Sequence, residues 1–591
     1  MPMTPDLRRK VDQIRDDLFG GGYPDPVSNA EQLAFLFFFY LIESLDAQNA
    51  ARARVMKQPW ESLFAGTWTL RNPLNATKKG EMEIPAERLR WSSWARSLSA
   101  DNLVRFVRDE VFPFYADMAT RSAVNFMDGA RLGIDEPAVL TKLVSDVDAL
   151  RLDQADADTK GDLFEHVLRQ IKQAGELGQF RTPRHVIRAI VDIIDPKIGE
   201  TVYDPAAGTA GFLVAAYNHI RLAHSSPAGT HVEEVDGKPQ TRGLGDKLTQ
   251  KRQSQLANRT FYGNDVDPKM VRLATMNLTL RGLPNVRILR RNVLTSTLDA
   301  QQRADLHLPD AYDVVLANPP FSGRIDKDRI VEDVRVGTST ATEILFLKYM
   351  LDSLKPDGRC GVIVPEGVLF GSTGAHKTLR RMLVEHNTVE AVLSLPAGVF
   401  QPYSGVKTSV LFFRKGTQNS VRPERSATES RGVEGRGIQR VLFLNAENDG
   451  YKLDANHDQP IDADDLPGLI EVFKTRDARW KEWTRHSGEG RNPDAVRPER
   501  SAAGAESKGK TAGSNPAPAT SGAWTHNWWF ATAEQLRAND YNLSASRYRP
   551  VNAQAVEYRD PRELLDELAG IEAEIASEVE ALRLALAEGV P

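Results

Sequence analysis

Residues 318–321, Asn318-Pro319-Pro320-Phe321, set an amide side chain, a proline-locked backbone carbonyl and an aromatic ring side by side. They close the apolar run Asp313-Val314-Val315-Leu316-Ala317, whose pattern is that of a buried strand. Two consecutive prolines cannot donate to a sheet, so the strand ends there and the turn is stiff before any ligand arrives. The Asn318 side-chain oxygen and the Pro319 carbonyl can each accept one N–H of an exocyclic amino group, while Phe321 lies against the ring face. Drawing both hydrogens out of the ring plane turns the nitrogen lone pair toward an electrophile, which is chemistry for methylating an amino nitrogen. The same residues also suit a plain strand-ending turn with an asparagine cap, so the surrounding elements have to decide.

Those elements are strands that end in polar loops. Thr201-Val202-Tyr203 runs into Asp204-Pro205-Ala206-Ala207-Gly208-Thr209-Ala210-Gly211-Phe212 and then into a helix from Leu213 to Ile220. Gly208 and Gly211 permit the tight turn and close backbone approach of a strand-loop-helix nucleotide site, although the spacing is not that of a dinucleotide fingerprint and the lysine of a P-loop is missing. Asp204 at the strand end would repel phosphate and suits a positively charged ligand, such as a sulfonium or the ammonium of an amino acid. A second strand, Thr260 to Gly263, leads to Asp265, the candidate for ribose hydroxyls, and to Asp267, a helix cap before Pro268. A third, Val286 to Leu289, leads to Asn292, which can bond the base of such a cofactor. Upstream, Gln179-Phe180-Arg181-Thr182-Pro183-Arg184 opens the periodic run Val186, Ile187, Ile190, Val191, Ile194. Thr182 can cap that helix, whose first free N–H groups could meet a carboxylate. All these candidates fall at the carboxyl ends of consecutive strands, where open α/β sheets bind ligands. The polar stretch from Ser225 to Leu256 reads as a surface insertion.

The frame around this region is large, and 591 residues allow about three domains. A hydrophobic content of 41%, a charged content of 26% and a net charge of -5 describe a globular protein without the overall basic balance of a nucleic-acid binder, so DNA contact would be local or shared with a partner. From Leu7 to Leu150 the periodicity is helical, with Leu7, Val11, Ile14 and Leu18 on one face, no hairpin signal and no visible chemistry. The apolar run Leu33 to Ile42 is too short to span a bilayer and suits a helix buried on all sides. The N-terminus lacks a signal-peptide pattern. The single cysteine, Cys360, excludes an internal disulfide and a multi-thiolate zinc site, which suits the cytoplasm; no metal site is expected. Beyond the central motif follow a helix from Glu343 to Leu354, strands Gly361 to Pro365, Val389 to Leu395 and Thr408 to Phe413, and an aromatic loop in which Phe400 or Tyr403 could line a base pocket.

Residues 418–437 and 487–522 are rich in Gly, Ser, Arg, Glu and Pro and read as disordered. Val421-Arg422-Pro423-Glu424-Arg425-Ser426-Ala427 recurs as Val496 to Ala502, which suggests two insertions of one repeated element. Trp528, Trp529 and Phe530 begin a segment expected to pack back on the catalytic region. The last stretch repeats Leu564, Leu568, Ile571, Ile575, Val579, Leu582 and Leu586, a coiled-coil seam that calls for a partner.

With the motifs in this order, the central region resembles the amino-group DNA methyltransferases that use S-adenosylmethionine. More closely, residues 7–586 resemble the methylation (M) subunit of a type I restriction-modification system, an adenine-N6 methyltransferase family. The matches are Gly178 to Arg184, Asp204 to Phe212, Asn318 to Phe321, Leu395-Pro396-Ala397-Gly398-Val399-Phe400 and Asn539-Asp540-Tyr541-Asn542-Leu543. The resemblance implies an α/β, Rossmann-like methyltransferase domain over 151–480, an all-helical N-terminal domain over 1–150, and a C-terminal segment and coiled-coil-like helix over 523–591 for subunit assembly. It implies that residues 179–184, with Asp204, Ala206, Gly208, Thr209, Ala210 and Gly211, hold the cofactor, that Asp265 takes the ribose, and that Asn318, Pro319, Pro320 and Phe321 form the catalytic turn for a flipped adenine in double-stranded DNA. It also implies a specificity (S) subunit, in a complex that joins a pair of M subunits to one S subunit, a restriction (R) subunit, and no membrane. Arg181 and Asn292 depart from the family pattern, which usually has a bulky residue and an aspartate there. Cytosine N4, a protein glutamine, or a scaffold that merely keeps the pocket are the competing readings.

Overall fold

The computed structural model describes residues 4–550 except 72–80, 121–126, 169–181, 402–404, 418–439, 488–525 and positions 56, 58, 128, 153, 154, 156, 322, 455, 456 and 458. Gln179, Phe180, Arg181, Tyr403, the segments 418–437 and 488–522, and the seam of residues 564–586 therefore lie outside the described residues. The chain divides into a large unit, Met1–Arg479 with Asn527–Tyr548, and a small one, Trp480–His526 with Arg549–Pro591.

Among the described residues, the centre of the large unit is a sheet of nine strands: β1 (Val202–Asp204), β2 (Phe261–Asp265), β3 (Arg287–Arg290), β4 (Tyr312–Ala317), β5 (Leu354–Pro365), β6 (Thr388–Ser394), β7 (Thr408–Arg414), β8 (Arg440–Asn445) and β9 (Trp528–Thr532). Their spatial order is β3-β2-β1-β4-β5-β7-β6-β8-β9. The strands from β3 to β5 run parallel, and their near-continuous apolar runs are what a sheet covered on both faces requires. The chain winds outward from β1 to β3 and then returns to lay β4 beside β1, with Val202 opposite Val314. A reversal of this kind opens a crevice at the strands' carboxyl ends. β7 inserts antiparallel between β5 and β6. At the edge, Trp528 to Phe530 do more than pack back: β9 pairs antiparallel with β8, with Phe443 opposite Trp529.

The N-terminal region is helical as expected, and the helix Pro26–Val55 buries its Phe35 to Phe39 cluster against Phe112 and Tyr115. Phe39 stacks on Tyr115 at 4.3 Å between ring centroids, and Phe35 meets Phe112 edge-on at 5.1 Å. One correction is needed, because the region is not wholly helical. Thr67–Arg71 pairs antiparallel with Glu81–Pro85. Trp68, Leu70 and Ile84 point into the core while Thr67 and Arg71 face solvent, a period-two pattern too short to stand out among helices. The helical core also takes in Met270, Leu273, Met276 and Leu280, so the helix Pro268–Leu280, which follows β2, packs into the N-terminal core.

Candidate active site

The loop after β1 is built by residues that tolerate an unusual backbone. Gly208 and Ala210 both have positive φ, +51° and +68°, and Ala210 sits in the left-handed region just before the helix Gly211–Ala223. For a residue with a side chain this costs about 1 kcal/mol or more, a sign of a constrained turn. Gly263 on β2 is required by close approach, since a Cβ there would lie 2.9 Å from Ile288 Cδ1 and 3.1 Å from Ala207 Cβ. The turn is knitted by acids. Asp204 accepts the Ala206 N–H at 3.0 Å, and Asp265 accepts the Gly208 N–H at 2.9 Å through one oxygen and the Asp267 N–H at 2.9 Å through the other.

Asp204 is 1% exposed, and burial pushes its carboxyl up to about 8; the Ala206 N–H pulls it down and the neighbouring Asp265 adds to the rise. Burial raises Asp265 as well. Neither loop supplies a cation, for residues 204–211 and 263–267 contain no Lys or Arg. Two buried acids whose charge is suppressed in this way favour a positively charged ligand, whose arrival would ionise Asp204.

At the tip of β4, the Asn318 Nδ2 donates to Thr182 Oγ1 at 3.0 Å. Its Oδ1 is buried and accepts no hydrogen bond. Nor does any described group donate to the Pro319 carbonyl. The two acceptors that an amino group would need are thus left free. Thr182 does not cap its helix: Pro183 is the cap residue of Arg184–Ile194, and no side chain fills that role. The helix starts one residue later than the sequence suggests, which frees the Thr182 hydroxyl for Asn318. Phe321 is largely buried and meets the Phe400 ring edge-on at 5.9 Å.

A cavity of about 510 Å³ runs past Thr182, Asp204, Gly208, Thr209 and Asn318. Asp265 and Asn292 are not in its wall. Asn292 is engaged locally, its Oδ1 accepting the Leu294 N–H at 3.0 Å. Arg184 lines the cavity with its guanidinium 2.8 Å from Glu165 and 3.9 Å from Asp236. The insertion after Ser225 is more than a surface loop. Its strands Thr230–Val235 and Lys238–Gly243 form a hairpin whose Lys238, Gln240 and Arg242 wall the cavity, with Lys238 anchored to Asp464 at 2.7 Å. Sequence reasoning missed this wall because polar residues alternate on both faces, leaving no apolar stripe. It also missed the grouping of His185, Asp449 and His457, which sequence distance hides.

A reversed parallel sheet, acids at its first two strand tips and an Asn-Pro-Pro-Phe turn on the fourth strand define an α/β methyltransferase. The chain belongs to the N-6 DNA methylase family, whose model matches residues 155–557, and the HsdM N-terminal domain model matches residues 7–147. Together these make it the methylation subunit type of a type I restriction-modification system. Among its relatives, the type I restriction enzyme EcoEI methylase subunit of Escherichia coli is 30% identical over 379 residues, 59% of this chain and 69% of that protein. The StySJI methylase subunit of Salmonella typhimurium is 33% identical over 305 residues, covering 50% of this chain and 52% of the relative. A solved chain from work on complex assembly and conformational transition of the type I restriction-modification system shares the fold, with a TM-score of 0.61 at 24% identity over 100% of both chains. Among the described residues no helix is long and apolar enough to cross a membrane.

Proposed function

We propose that the chain methylates adenine N6 in double-stranded DNA, as the cytoplasmic modification subunit of an assembly in which a pair of such subunits joins one specificity subunit and a restriction subunit. S-adenosylmethionine, when bound, supplies an electrophilic methyl group. Asp204 and the 206–211 loop would hold its charged amino-acid end, with Thr182 and its neighbours beside them, and Asp265 would hold the ribose. Asn292, bonded within its own turn, would need to give up that bond to reach the base. The orphan oxygen of Asn318, on a cavity whose wall also holds a buried, charge-suppressed acid, carries this reading.

Asn318 Oδ1 and the Pro319 carbonyl would take the two N6 hydrogens and aim the nitrogen lone pair. The Thr182 hydroxyl, which accepts from Asn318 Nδ2, would hold the amide so that its oxygen is left for the substrate. Rotating the base out of the duplex costs roughly a few kcal/mol, and an aromatic face returns about 1–3 kcal/mol per base. Phe321 would supply that face at the edge of Phe400. The names of the two relatives above, both methylase subunits of type I restriction enzymes, support a methylating subunit within such an enzyme, and the N-6 DNA methylase family model supports the target nitrogen.

The test is to co-express the chain with its specificity subunit and map modified bases in host DNA by single-molecule sequencing. The expected result is N6-methyladenine in a split motif, reduced at least about 10²-fold in Asn318→Ala, the scale on which a single preorganised hydrogen-bonding group acts. Modified cytosine in place of adenine would overturn the substrate, and methylation that survives in Asn318→Ala would overturn the catalytic assignment.

A further inference from the structure

Outside the methylation chemistry, three ligand-bearing side chains converge from distant parts of the sequence. His185 lies at the start of the helix Arg184–Ile194, Asp449 begins the short strand Asp449–Tyr451, and His457 lies in the loop behind it. Their ligand atoms lie within 4.8 Å of one another, and their side chains are 11%, 0% and 1% exposed. Asp449 Oδ2 is 2.8 Å from His185 Nε2 and 2.9 Å from His457 Nε2.

The hydrogen positions on His457 make this grouping informative. Its Nδ1 lies 3.2 Å from the Val399 carbonyl, and a carbonyl only accepts, so Nδ1 carries a hydrogen. A neutral His457 then turns a bare Nε2 lone pair toward a carboxylate oxygen, and that nitrogen makes no hydrogen bond. Two acceptors in contact inside a dry interior repel, and a cation between them turns the repulsion into binding. An N–H donated to a backbone carbonyl is also how metal-bound histidines are held in orientation.

We propose that His185, Asp449 and His457 bind one divalent transition-metal ion, zinc in the first instance. Two imidazoles and a carboxylate suit zinc and its neighbours, whereas magnesium and calcium take oxygen ligands. Zinc bonds of about 2.0–2.2 Å in a tetrahedral array put ligand atoms roughly 3.3 Å apart, so each Asp449–histidine contact needs to lengthen by only a few tenths of an ångström, with the two imidazoles already within 4.8 Å of each other. Tyr451 stacks on His185 at 4.4 Å and covers one side of the group.

The ion would fix two walls of the active site without touching the reacting atoms. His185 follows Thr182, the partner of Asn318, by three residues, and the carbonyl that orients His457 belongs to the residue before Phe400. The test uses the full chain, stripped with a chelator and dialysed against zinc or cobalt(II) salts. The expected results are one zinc per chain retained through gel filtration, a thermal midpoint that rises with zinc concentration, and intense cobalt bands of a four-coordinate site. His457→Ala and Asp449→Asn should each abolish retention and the midpoint shift, with His457→Gln as the alternative should the alanine variant fail to fold. Stripped wild-type protein that retains neither metal and whose midpoint does not move would overturn the site, as would variants that bind like wild type. A midpoint that responds to pH but not to metal would identify a protonated His457 paired with Asp449, and would overturn it too.

Discussion

Where the N-terminal helices meet the helix Pro268–Leu280, buried charge meets opposite charge. Arg272 Nη2 lies 2.6 Å from Glu31 Oε1, and Arg281 Nη2 lies 2.8 Å from Asp162 and 3.0 Å from Glu165. At the strand tips, buried acid lies beside buried acid and an amide oxygen has no partner. Burial alone would lower the Arg281 guanidinium, but Asp162 and Glu165 drive it up; no such compensation reaches Asp204. A buried charge matched by opposite charge serves the fold, and buried acids left without a countercharge form an open assembly that awaits a ligand. Arg281→Ala should therefore cost about 1.5–3 kcal/mol, the scale of charge-assisted hydrogen bonds, because Asp162 and Glu165 lose the buried cation they share and keep only Arg242 at 3.5 Å and Arg184 at 2.8 Å. Denaturant unfolding of the large unit measures this, and a loss under about 1 kcal/mol would erase the contrast.

The open assembly makes the opposite prediction. The native Asp204 pKa of about 8 stands above the ordinary 3.8, so between these values the folded state holds a proton that the unfolded chain has released. The stability that this group contributes is complete below pH 4 and drains away as pH rises toward 8, by at most about 1.4 kcal/mol per unit. Asp204→Asn keeps the acceptor for the Ala206 N–H but cannot ionise. It should flatten that slope, raise the thermal midpoint at pH 8, and abolish binding of the methyl donor. In wild type, binding a cationic ligand at pH 7 should release a proton and tighten as pH rises toward 8. Calorimetry in buffers of different ionisation enthalpy tests both statements, and binding without proton release would mean that the ligand's charge lies elsewhere.

Much of this contrast was legible in the chain. Strands read from apolar runs and turn residues coincide with β1 to β7 to within a few residues, except that β5 starts earlier, at Leu354, and the motif on β4 stands at the strand tip as its two prolines demand. Asp267 caps its helix by accepting the Lys269 N–H at 2.8 Å, as the Asp-Pro pair implied. What sequence could not give was partnership across distance. Thr182 and Asn318 are 136 residues apart, and nothing local distinguishes a hydroxyl that caps a helix from one that orients an amide. The hairpin at Thr230–Gly243 was opaque for a different reason: its strands are stabilised by cross-strand polar pairs and by anchors such as Lys238 to Asp464, not by an apolar face.

Phe321 tests the boundary between the two kinds of assembly, since it is packed like a core residue yet closes the Asn318–Phe321 turn proposed for catalysis. Phe321→Leu keeps most of the volume against Phe400 while removing the aromatic face. If stacking matters, methyl transfer should fall about tenfold or more, in line with 1–3 kcal/mol per stacked base, with the thermal midpoint little changed. A drop in stability with normal specific activity would assign Phe321 to the core instead.

The smallest effect is expected from removing residues 418–437 and 487–522, which share the repeated Val-Arg-Pro-Glu-Arg-Ser-Ala. The first joins β7 to β8, and the second precedes β9, so the nine strands and the cavity wall described above are built from other residues. Shortening such connections changes closure entropy by only about 0.6 kcal/mol per halving of length. A chain lacking both should keep its midpoint, its methylation and its assembly. Loss of methylation at an unchanged midpoint would place DNA or subunit contacts in these segments, and the open assembly would then extend beyond the strand tips.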